Sequence, residues 1–114
     1  MNIKDVSEID WLEPWGAVRE PIPRGLEAEL EKEVGPGHPL YRRRVITVGR
    51  RFDQNEVLYL LLEYPYRLAV VHLLWRDKVQ GEDARWPRTV FYATIEEWRE
   101  KCLKPANHEF CGTW

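Results

Sequence analysis

Between Val45 and Trp75 the apolar residues follow a period of two, and in the later part they fill both phases of it. A strand that is apolar on alternate residues needs cover on one face only, whereas one that is apolar throughout must be buried on both. This stretch therefore sets the main constraint on the fold. Ile46, Val48 and Phe52 fall on one face of a first strand, and Val45, Thr47 and Arg51 on the other. Asp53-Gln54-Asn55-Glu56 reads as a hairpin turn, with Asn55 suited to a positive φ. A second strand from Val57 to Glu63 is apolar on both faces. Tyr64-Pro65-Tyr66-Arg67 reverses the chain into a third strand, Leu68 to Trp75, eight residues without a formal charge or a proline. A polar loop from Arg76 to Arg85 then leads past Trp86-Pro87 to a short fourth strand, Thr89 to Ala93.

Helices flank this meander. Leu26, Leu30 and Val34 recur at four-residue spacing among Glu27, Glu29, Glu31 and Glu33, which makes a narrow apolar stripe beside an acidic face. Gly35 and Pro36 stop that helix. Thr94-Ile95-Glu96-Glu97 is a capping box that opens a last helix, with Ile95, Trp98 and Cys102 on its apolar side and Pro105 as its expected end. The tail beyond it, with Phe110 and Trp114, is expected to pack. Ser7 is a candidate cap for a short helix ending before Pro14, and Trp15 to Pro23 reads as irregular, with prolines at 21 and 23. The expected fold is α+β: an antiparallel meander of three to four strands with two main helices packed on the sheet. Either the helices and the N-terminal segment cover both faces of strands two and three, or a second copy of the chain covers one, so a homodimer is among the expectations.

A chain of 114 residues is expected to form a single domain, residues 1–114. No apolar run approaches a membrane span, and the start has no apolar core of a signal peptide, so the expected location is cytoplasmic with no membrane partner. The two cysteines are expected as free thiols. Charge is uneven. Residues 1–40 carry four basic against nine acidic residues, and residues 41–114 carry thirteen against ten. The steepest feature is Arg42, Arg43, Arg44, Arg50 and Arg51. An anion or nucleic-acid site is one reading of these arginines. The formal net charge of −2 favours solvated faces instead, since dedicated nucleic-acid binders are usually basic overall.

Little in the chain carries catalytic chemistry. The one serine, Ser7, reads as a cap, and neither a nucleophile elbow nor a phosphate-binding glycine loop is present. Cys102, His108 and Cys111 supply three candidate zinc ligands, but their spacing matches no standard finger, so no metal or other cofactor is expected. His72 interrupts an apolar strand and is the one side chain singled out for acid–base work, although an imidazole there more often serves the core. Six tryptophans are several times the usual share. Trp75 and Trp98 follow from periodicity. Trp11, Trp15 and Trp86 do not; they sit beside prolines, where large rings either pin irregular chain to the sheet or anchor a partner.

Through Ala69-Val70-Val71-His72-Leu73-Leu74-Trp75, Arg85-Trp86-Pro87 and Thr94-Ile95-Glu96-Glu97-Trp98, residues 55–104 resemble small uncharacterised bacterial proteins of the kind grouped as domains of unknown function. In size, aromatic content and mild acidity the chain is also similar in style to the immunity proteins of bacterial toxin systems. The first resemblance implies a bacterial cytosolic α+β protein, and neither brings an activity or a residue role. The leading functional expectation is a non-catalytic binding protein with a protein partner, using Trp11, Trp15, Trp86, His72, Arg50 and Arg51. The runner-up is a nucleic-acid module on the Arg42–Arg51 strand, and the third is a small-ligand protein or enzyme centred on His72 and Trp86.

Overall fold

A computed structural model describes residues 3–75 and 85–112. The expected loop from Arg76 to Arg85 lies almost wholly outside the described residues, and so does the expected packing of Trp114. The fold is α+β. A five-stranded antiparallel sheet runs in simple order β1-β2-β3-β4-β5, comprising β1 (Trp15–Ala17), β2 (Val45–Arg51), β3 (Glu56–Leu61), β4 (Leu68–His72) and β5 (Thr89–Tyr92).

The two-faced apolar strands are covered on both sides by this chain's own elements. Helix α1 (Ile22–Glu33) lays Leu26 and Leu30 on the face formed by Val57, Tyr59, Leu61, Ala69, Val71 and Leu73, with Val34 and Leu40 closing it. Helix α2 (Ile95–Trp98) continues through a π-wound turn (Arg99–Leu103) into helix α3 (Lys104–Cys111), and this run covers the opposite face. There Ile95, Trp98, Leu103 and Ala106 pack on Leu58, Leu60, Leu68 and Val70, joined by Ile9 and Trp15. The meander therefore lies between helices on its two faces and needs no second copy to bury them.

The fifth strand comes from the stretch expected to be irregular. Trp15, Gly16 and Ala17 pair with Arg51, Arg50 and Gly49 along the outer edge of β2. Three residues are too few to show a period, so edge pairing was invisible in the pattern. Ser7 lies within the last turn of a short 3₁₀ helix (Ile3–Glu8) rather than opening a helix, and the following chain is used to bury Ile9 and to bring Trp11 onto Trp98. Pro105 does not end the last helix. The preceding turn is π-wound, with the Lys104 N–H donating to the Arg99 carbonyl, so the ring avoids the clash it would make with an α-helical carbonyl four residues back. The helix stops instead at Gly112, which holds φ 59.

A bulge between Thr47 and Gly49 shifts the register of β2 against β3. It changes which residues share a face. Val45 and Thr47 share a face, the one toward α1, but Arg51, expected beside them, pairs with Glu56 and joins Ile46 and Val48 on the α2–α3 side, while Arg50 moves to the α1 side. A Cβ at Gly49 would run into the Trp11 ring and come within 2.6 Å of the Gly16 carbonyl oxygen, so this position has room only for glycine.

Candidate functional site

The loop tryptophans divide. Trp15 is 1% exposed and stands edge-on to Trp98, with ring centroids 5.6 Å apart. Trp11 is half-buried on the same ring at 5.8 Å. Both pin the N-terminal segment onto the sheet, which removes Trp15 from any partner surface and leaves Trp11 only an edge. Trp86 is exposed, as are Trp75 and Phe110.

His72 does not sit in the core. It lies at the end of β4 with its side chain 42% exposed and Nδ1 4.0 Å from Glu56 Oε2. Arg51, Glu56 and His72 form a cross-strand row over β2, β3 and β4. Arg51 is committed to that row: it bonds Asp53 at 2.7 Å and lies 3.7 Å from Glu56, with only 12% of its side chain exposed. Arg50 lies over the Phe52 ring, 6.0 Å from its centroid. On the same helical face, Cys102 touches the Tyr92 hydroxyl. Burial, reinforced by the Glu56 charge, pushes the Cys102 thiol up to about 11, and burial with the Cys102 sulfur pushes Tyr92 up to about 12. A thiol held protonated is the opposite of an activated nucleophile. Cys111 and His108 are exposed further along α3, and no group of three His, Cys, Asp or Glu side chains among the described residues is placed to hold a metal ion.

The buried histidine is His38, 5% exposed, in a turn that periodicity passes over. Its Nδ1 accepts the Leu40 N–H at 3.0 Å, which leaves Nε2 to donate to the Pro87 carbonyl at 2.9 Å. Nearby, Glu33 is 1% exposed at the end of α1, and its carboxylate accepts the Leu74 and Trp75 N–H groups at 2.7 and 2.9 Å. This pairing ends β4 early and holds Trp75 at φ 54. Glutamates at 29 and 33 look like part of an acidic helix face in sequence; only the fold shows that they are turned inward.

The His38 strut holds Leu40, which lines a cleft of about 600 Å³ between the second half of α1 and the chain entering β2. Its floor is Leu30, Val34, Leu40, Val45 and Leu62. One wall carries Glu27 and Glu31 of α1, and the other carries Arg42, Arg43 and Arg44. The arginine wall is held by its backbone: the Arg43 N–H donates to Leu40 O at 3.1 Å, and Arg44 O accepts from Leu62 N at 2.9 Å. Arg43 pairs with Glu63 at 2.7 Å. Arg42 holds φ 57 and lies over the Tyr41 ring at 5.3 Å. Neither Arg42 nor Arg44 forms an ion pair among the described residues, and both are exposed. Glu27 is already used, accepting the Thr47 N–H at 2.8 Å. The sequence flagged the arginines, but it could not show that the acidic helix forms the facing wall. No described helix is long and apolar enough to cross a membrane. No protein-family model, curated protein or solved structure matches the chain.

Proposed function

We propose that this protein acts without catalysis of its own, by binding a protein partner at the cleft between α1 and the Arg42–Arg44 segment. The observation that carries this reading is the make-up of the cleft. An apolar floor lies between an acidic wall and an arginine wall, on a backbone already fixed by hydrogen bonds. A mixed surface of this kind is complementary to another protein surface, and arginine and tyrosine are the residues that most often anchor such contacts. A nucleic-acid backbone would instead meet Glu27 and Glu31 across the cleft. An enzyme reading finds both thiols outside the cleft, Cys102 held protonated and Cys111 exposed on α3, and His72 at the far end of the sheet row. Within this reading the resemblance to small bacterial proteins supplies a bacterial, cytosolic setting and no residue role.

Affinity capture with the full chain tests the proposal. Bait is cross-linked in lysate with and without nuclease, and the retained material is identified by mass spectrometry. One protein retained in stoichiometric amount and insensitive to nuclease is the expected result. Retention that disappears with nuclease, leaving RNA or DNA as the ligand, would refute it.

A further inference from the structure

We infer that the cleft seats an acidic side chain of the partner, flanked by an apolar residue, with the carboxylate bound by Arg42 and Arg44. This rests on the protein-partner reading and gives it a chemistry. Of the five clustered arginines, Arg43 is neutralised by Glu63, Arg51 is shared between Asp53 and Glu56, and Arg50 lies over Phe52. Arg42, Arg44 and Arg50 are without an ion pair among the described residues, and of these Arg42 and Arg44 line the cleft. Exposed guanidinium groups beside an apolar floor are sites for a carboxylate, which they can bind through paired N–H donors.

Arg42 carries a second sign of use. It holds φ 57, a backbone conformation that costs a non-glycine residue energy and is kept where the surroundings enforce it, often at ligand sites. Tyr41 supports its guanidinium from one side, which orders a side chain that would otherwise lose freedom on binding. The apolar floor explains why the acid should have an apolar neighbour: Leu30 and Val34 lie at the base of the cleft, where a leucine-sized side chain excludes water from the ion pair. The glutamate wall limits the occupant's charge. One or two carboxylates can be matched by Arg42 and Arg44, but a continuous polyanion would be repelled by Glu27 and Glu31.

The experiment is selection of a phage-displayed random peptide library on the full chain, followed by titration of the enriched peptides as free fluorescent probes. A single-stranded oligonucleotide is titrated in parallel. The variant R42E/R44E is used beside the wild type, and its melting temperature confirms that it folds. Enriched peptides carrying Asp or Glu within two residues of Leu, Ile or Phe, and binding the variant at least about tenfold more weakly, would establish the inference. Enriched peptides without an acidic residue, or peptides that bind both proteins equally, would overturn it while leaving a protein partner at another surface. Failure to enrich any peptide overturns it as well. If, in addition, the oligonucleotide binds at submicromolar concentration in physiological salt, the protein-partner reading falls with it.

Discussion

Cys102 and Cys111 are nine residues apart and sit in opposite environments. Cys102 packs beside Tyr92 and Trp98, and burial raises its thiol to about 11, whereas Cys111 is exposed near the end of α3. Thiol reactivity follows the thiolate fraction and access. Iodoacetamide at neutral pH should therefore label Cys111 fully before Cys102 reacts, as read by peptide mass spectrometry. Equal labelling would mean that the π-wound turn opens readily. Stability should carry the same signature. An acid whose folded pKa lies above its unfolded value contributes stability that is present below the unfolded value and lost as pH rises through the folded one. For Cys102 that window runs from pH 9.0 to about 11. The melting temperature should fall across it, and fall less in Cys102→Ser. His38 makes a different kind of residue-scale contribution. Replacing it with Ala leaves the Leu40 N–H without its buried partner and the Pro87 carbonyl with the Thr89 hydroxyl only, which should cost about 1–3 kcal/mol in a denaturant titration. His38 was illegible in the sequence because a turn histidine beside proline has no period to mark it.

The elements that sequence revealed best were those whose signal is local. Thr94 caps α2 as the motif implies, its Oγ1 accepting the Glu97 N–H at 3.1 Å. The Glu97 carboxylate reaches back to the Ala93 N–H, one residue before the cap, at 2.8 Å and also meets Lys101, contacts that hold its pKa below the usual carboxylate range. Thr94→Ala should destabilise the fold by about 1 kcal/mol, seen as a lowered melting temperature. The meander was equally plain because its alternation is local. What escaped was set by tertiary contact. Strand β1 exists only as a partner for the edge of β2, and the continuation of the last helix past Pro105 depends on a π-wound turn. The bulge in β2 lies between these cases. A glycine at 49 gives it room, but the consequence, Arg51 changing face, required the register. Gly49→Ala tests that account. A Cβ there collides with Trp11, so the variant should be destabilised far beyond the ordinary gain that alanine brings to a strand. A melting temperature equal to wild type would mean that Trp11 does not sit on the bulge.

At the scale of the whole molecule, the arrangement of charge decides between the two leading partner classes. The chain carries a net −2, and its acidic helix α1 faces the arginine segment across the cleft. Strand alternation puts Arg50 and Arg51 on opposite faces of the sheet, the bulge deciding which face each takes, so the five arginines do not form one stripe. Two of the five are ion-paired within the fold, Arg43 with Glu63 and Arg51 with Asp53 and Glu56, while Arg42 and Arg50 each lie over a ring, Tyr41 and Phe52. Each phosphate neutralised by a protein releases counterions and steepens the salt dependence of binding, and such a slope requires several unpaired cations along one track. Arg42 and Arg44 supply two, opposite two glutamates. A single-stranded oligonucleotide should therefore bind no more tightly than the roughly 10⁻⁴–10⁻⁶ M of non-specific contact, with a shallow salt slope. Fluorescence anisotropy at low and physiological salt measures both quantities. Submicromolar affinity at physiological salt, lost on R42E/R44E and weakened on Arg50→Glu, would show that the acidic wall does not repel a phosphate backbone, and the cleft would then have to be assigned to nucleic acid.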